Sequence, residues 1–258
     1  QDRTLFPYTT LFRSLSYIGI KISAREKNAR KSFGYKRAEI IIAFVNSSTL
    51  IGICIYLLFE AYDRFLHPEE IDSGLMITIA TIGLFANLIS VLILSKDSHS
   101  SMNIKAAYLH LLGDTLSSVG VVLGGLAIRY WGLTWIDPVI TVLVSLFIIK
   151  ESWKIVKRAV DILMQSSADL DYEAIRKDIE SIEKVSNIHH VHTWYSNENT
   201  IYFEAHVSVQ DIPISQTKPI LEEIEHILTE HYGVNHITIQ FEAESCTDCG
   251  KEMFGESR

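Results

Sequence analysis

Four apolar stretches in the first 160 residues constrain this chain more than any other feature. Ile40 to Phe59 runs twenty residues without a formal charge, and Leu75 to Leu94 does the same. Ala106 to Ile128 is interrupted only by His110 and Asp114. Ile136 to Ile149 is shorter and carries Asp137, but Trp131, Trp135 and Trp153 bracket it like interfacial anchors. A bilayer core of ~30 Å needs about 20 residues at ~1.5 Å each. Packed as a soluble core, four such runs would leave too little polar surface for water. Residues 15–160 therefore read as a transmembrane α-helical bundle of four full spans.

Loop charges orient it. Lys21 to Arg37 holds seven basic residues against Glu26 alone. Glu60 to Asp72 holds Arg64 against five acidic residues. Lys96 and Lys105 flank the third loop, and Lys150, Lys154, Lys157 and Arg158 follow the last span. Basic and acidic loops alternate as four crossings require, and the positive-inside bias places everything after residue 150 in the cytosol. Leu15 to Ile22 is apolar but too short to span, the remnant of one more helix. Residues 1–14, with no initiator Met, two Arg and a Pro, are expected to be a non-native leader. They lack the basic start and apolar core of a signal peptide.

The second half is soluble and acidic: from Ser166 to Ser245 there are fifteen Asp or Glu and four Lys or Arg. The whole-chain mean hydropathy of +0.17 and net charge of −8 average two unlike halves. That balance excludes a disordered chain and argues against a nucleic-acid binder. Ile175, Ile179 and Ile182 have helical spacing over Tyr172 to Ile182. Val185 to Tyr195 and Thr200 to Val209 read as strands joined by turn residues 196–199. Pro219 to Tyr232 is amphipathic and ends at Gly233, and His236 to Phe241 alternates. The order α-β-β-α-β predicts a small two-layer α+β domain over residues 166–245, with a tail at 246–258.

His110 and Asp114 stand four apart inside a predicted span, on one helix face that Ser117 and Ser118 continue. Ionisable residues in a bilayer are costly and mark ion or proton paths. Imidazole plus carboxylate suits Zn²⁺ or a similar ion, although two ligands leave a tetrahedron half filled. Gly120-Val-Val-Leu-Gly124 on the same helix permits close helix packing. Asn46, Ser47, Ser48 and Asn87 read as interhelical hydrogen-bonding groups. In the soluble half, His189-His-Val-His192 is dense in imidazole. A regular strand puts His190 and His192 on one face and His189 on the other, which disfavours a single site using all three. His206 lies on the next strand and His236 opens the third. Cys246 and Cys249, with two residues between them, have the spacing of thiolates that share a metal. With the histidines nearby they suggest a metal-binding surface.

Phe33-Gly-Tyr-Lys-Arg37-Ala-Glu39, Ala107-Tyr-Leu-His110-Leu-Leu-Gly-Asp114, Asp137-Pro138 and His189-x-x-His192-x-Trp194 occur in order. Together they resemble the cation diffusion facilitator family of zinc, cobalt and cadmium transporters, over roughly residues 15–245. The resemblance implies six transmembrane helices, a ferredoxin-like cytosolic domain for dimerisation and metal sensing, and a homodimer exporting Zn²⁺ in exchange for H⁺, with Cd²⁺ or Co²⁺ as other ions. It implies His110 and Asp114 as half of the transport site, and His189, His206 and His236 as ligands of regulatory zinc. Glu242, Cys246 and Cys249 resemble ligands of the vertebrate vesicular branch, and His99 a remnant of a His-rich loop. The family's second-helix pair, His or Asp four residues before Asp, has no counterpart upstream of Lys21. The expectation is thus an N-terminally truncated efflux antiporter of the bacterial inner membrane, carrying half its transport site. A membrane-anchored metal sensor without transport is the main rival. A membrane metalloenzyme is disfavoured, since no further acid, base or nucleophile stands out in the spans.

Overall fold

Large apolar side chains that find no core must face a medium other than water, and the first part of this chain is covered with them. On α3 (Ser73–Ser95), Ile82, Phe85, Ile89, Leu92 and Ile93 are all exposed. On α2 (Arg37–Leu66), Tyr56 and Phe59 point outward, while Asn46 and Ser47 are buried. Polar inside and apolar outside is the pattern of helices solvated by lipid. The structure, a computed structural model, describes residues 17–67, 73–95, 102–131, 135–243 and Met253.

The chain divides into two compact units, Gln1–Val160 and Asp161–Arg258. The first begins with a short helix, α1 (residues 17–23), where the remnant was expected. After α2 and α3 come α4 (Met102–Trp131) and α5 (Ile136–Leu163). Both α2 and α3 pack on α4. Among the described residues, Arg37–Leu66 and Ile104–Leu126 are long and apolar enough to cross a membrane, while the apolar stretch Ala80–Ser95 is shorter. Two of the four expected spans are thus met among the described residues. The apolar part of α5 stops at Lys150, so charge fills its second half.

Two glycines on α4 let α5 approach. A Cβ at Gly113 would lie 2.5 Å from Ile148 Cδ1, and one at Gly120 would collide with Ile140 Cγ2. Seven residues apart on α4 against eight on α5, these contacts run antiparallel. The close approach thus pairs Gly120 with Gly113 one heptad earlier.

The second unit has the predicted order: α6 (Tyr172–Glu180), β1 (Val185–Asn197), β2 (Thr200–Val209), α7 (Thr217–Glu230) and β3 (His236–Ala243). Asp171 caps α6, its side chain accepting from Ala174 N at 3.1 Å. The sheet order is β1-β2-β3, with β1 antiparallel and β3 parallel to the central β2. Ile175 and Ile179 of α6 and Ile220, Ile224 and Leu228 of α7 close one face of the sheet over Ile188, Val191, Phe203, Ala205 and Val207. The other face carries the alternate residues of each strand, and there the polar chemistry gathers.

Candidate metal centres

In the helical unit, one turn of α4 brings His110 Nε2 to 3.6 Å from Asp114 Oδ2. His110 is buried, and α2 presents its buried Asn46 and Ser47 to the same interior. The hydroxyls near the pair are committed to the helix backbone. Thr115 donates to Leu111 O and Ser118 to Asp114 O, both at 2.8 Å. Among the described residues of that face, the imidazole and the carboxylate are the ionisable donors available to a cation. His99 and the cysteines Cys246 and Cys249 lie outside the described residues, as does the side chain of Asp137.

In the second unit, cross-strand register assembles a cluster that no single segment contains. His189 is opposite His206 on β2, and the next pairs along place Glu242 of β3 beside Ser208. His206 Nδ1 reaches Glu242 Oε1 at 2.8 Å, and His189 Nε2 lies 3.3 Å from Glu242 Oε2. One donor atom from each of the three falls within 4.8 Å of the others. His189 is buried to 5% exposure.

The neighbours of His189 fix its tautomer. Asn187 Nδ2 faces Glu180 Oε1 at 3.5 Å, which turns Asn187 Oδ1 toward His189 Nδ1 at 3.0 Å. An amide oxygen only accepts, so Nδ1 donates to it and Nε2 is the ring nitrogen that faces the carboxylate. Two ligand atoms ~2.0–2.1 Å from one tetrahedral ion stand about 3.3 Å apart, the separation of His189 Nε2 and Glu242 Oε2. Sequence inspection missed Asn187. Its signal was the i, i+2 spacing that puts it on the face of His189.

His236 does not join this cluster. It sits opposite Tyr202, six β3 residues from Glu242, or ~20 Å at ~3.3 Å per residue. Its ring packs on Tyr202 at 4.8 Å, and Tyr202 stacks on Trp194 at 5.4 Å. The expected division of the His189–His192 run also changes. The register slips between His189 and His192, where three steps on β1 match two on β2. His190 adopts φ +50°, and this bulge returns His192 to the face of His189.

Ionisable donors held inside an apolar helix, joined to a sheet domain with a second donor cluster, define a membrane protein that handles metal cations. Residues 11–164 match the cation efflux transmembrane domain and residues 168–244 the cytoplasmic domain of cation efflux proteins. The chain is 35% identical over 235 residues to the cadmium, cobalt and zinc/H(+)-K(+) antiporter of Bacillus subtilis, covering 90% of this chain and 75% of that one. It is 37% identical over 237 residues to the zinc transporter ZitB of Escherichia coli, with coverage of 90% and 75%. The metal cation efflux system protein CzcD of Cupriavidus metallidurans is 34% identical over 238 residues, with coverage of 92% and 75%. The chain belongs to the cation diffusion facilitator family of zinc, cobalt and cadmium transporters. It is a membrane protein with a cytoplasmic C-terminal domain.

Proposed function

We propose that this chain serves metal efflux from the cytosol as a metal/proton antiporter, with Zn²⁺ as its main cargo and Cd²⁺ and Co²⁺ as alternatives. The observation that carries this is the His110–Asp114 pair, held at 3.6 Å inside a helix apolar enough to span a bilayer. The relatives' names, which include zinc, cadmium and cobalt, support the choice of cargo. In this reading α2 to α5 make four crossings in a bacterial inner membrane. His110 and Asp114 form half of a tetrahedral transport site.

The coupling follows from ligand chemistry. An imidazole binds a metal only when neutral and a carboxylate best when ionised, so loading from the cytosol releases protons. Histidine changes charge near neutral pH, and reprotonation from the outer side weakens coordination and ejects the ion. The cytosolic units dimerise, and zinc at His189, His206 and Glu242 biases the transporter between its states. Cys246 and Cys249 are proposed as further ligands, since a two-residue gap lets both thiolates reach one metal.

Zinc flux in proteoliposomes under an imposed pH gradient tests this. The expected result is flux that requires the gradient and falls to background in His110→Ala and Asp114→Asn. Metal binding without flux would favour the sensor, and full flux in His110→Ala would remove the site assignment.

A further inference from the structure

The bulge in β1 does more than correct the register of the strand. His190 and His192 come out of it with their Nε2 atoms 3.3 Å apart, on rings at 90° with centroids separated by 4.6 Å. Two imidazole nitrogens bound to one tetrahedral zinc at ~2.0–2.1 Å stand about 3.3–3.4 Å from each other. The pair thus already has the bite of a chelate. It opens on a cavity of about 420 Å³ that Gln165, Ser167, Trp194 and Glu204 also line. Glu204 lies directly across the strand pair from His192, where Cβ atoms are ~5 Å apart.

Stability does not account for this arrangement. His190 holds φ +50°, a region that costs a non-glycine residue about 1–3 kcal/mol. Its Nδ1 is buried without a hydrogen-bond partner among the described residues. The bulge is nonetheless held firmly: Val191 N donates to Met253 O at 2.8 Å, and Ala168 N donates to Thr193 Oγ1 at 3.0 Å. A strained residue fixed from both sides, with its ring turned to a polar cavity, has the marks of a binding position.

We infer that His190 and His192, with the Glu204 carboxylate and water from the cavity, form a second zinc-type divalent-cation site, separate from His189, His206 and Glu242. The two sites are neighbours, because the His190 ring packs on His206 with centroids 4.6 Å apart. Each has its own donors: His206 turns Nδ1 to Glu242, while His190 turns Nε2 to His192. An ion in the second site bridges β1 and β2 at the mouth of a cavity that Gln165 and Ser167 also line. The site stands whether or not the chain transports.

The test is a Co²⁺ titration of the purified full chain in detergent, read by the ligand-field absorption of four-coordinate cobalt and by bound metal per chain. In a Glu242→Gln background, which disables the first cluster, adding His192→Asn should remove one further ion per chain and its absorption. His190→Gly should remove the same ion while thermal stability holds or rises, because glycine suits φ +50° and folding is not at risk. Unchanged stoichiometry and spectrum in both double variants would overturn the site. So would complete loss of cytosolic-domain cobalt in Glu242→Gln alone, which would mean one shared site.

Discussion

Replacing Glu242 by Gln keeps the side chain's shape and removes the one formal negative charge among the three clustered donors. Its carboxylate touches both imidazoles, at 2.8 Å and 3.3 Å, so the loss falls on the ion's charge balance and geometry together. With zinc at 100 times its dissociation constant, the bound ion stabilises the folded domain by about 2.7 kcal/mol. Outer partners of metal ligands alone are worth ~10–100-fold in affinity, so losing a direct ligand should cost at least ~100-fold. At the same zinc concentration the variant then retains about 0.4 kcal/mol, a difference of about 2.3 kcal/mol. For a unit the size of residues 161–258 this corresponds to roughly 9–18 °C in Tm. Thermal unfolding of the full chain, followed by circular dichroism with and without zinc, measures the increment, and any apo-state loss cancels in the comparison. His236→Ala should leave the zinc increment intact, because that residue lies at the far end of the sheet. A zinc increment in Glu242→Gln equal to that of the unmodified chain would refute the cluster as a metal site.

Other outcomes follow from single contacts. Gly120→Val should destabilise the helical unit by about 1–3 kcal/mol through its collision with Ile140. The Ile140→Ala partner change should restore part of that loss in a double-mutant thermal melt, and additive losses would sink the contact. Tyr232 donates to Asp178 Oδ2 at 2.6 Å, and burial together with that carboxylate pushes its pKa from 10.0 up to about 12. The unfolded chain releases this proton first, so the contribution is full below pH 10 and lost as pH rises to about 12. Tyr232→Phe should flatten that alkaline decline in Tm. Tyr172 gives its proton to Ala168 O at 2.6 Å, so the Thr193 hydroxyl donates to Tyr172 and its oxygen accepts from Ala168 N. Thr193→Val breaks this ring and strands the Ala168 N–H, which should cost about 1–3 kcal/mol in denaturant unfolding.

Much of this molecule was legible in one dimension because its signals are local. Long apolar runs, loop charge and a 3.6-residue period each depend on neighbours along the chain, and they marked the helical unit and the α-β-β-α-β order. The His110–Asp114 pair was legible for the same reason, since four residues is one helical turn. The charged second half of α5 leaves it a shorter apolar run than α2 or α3, as the sequence already showed.

What only the tertiary structure decided lies on the open face of the sheet. Strand alternation assumes an unbroken period of two, and one residue at φ +50° reverses the facing of everything after it. No spacing rule announces that a histidine will take a left-handed backbone, so His190 and His192 were rightly paired but His189 was sorted onto the opposite face from them. Register across β1, β2 and β3 likewise chose Glu242 over His236 as the partner of His189 and His206. The sequence alone located residues of metal-ligating type in two unlike domains. Which donors come together in the second is set by hydrogen-bond pairing between strands, a relation among residues as far apart in sequence as His189 and Glu242.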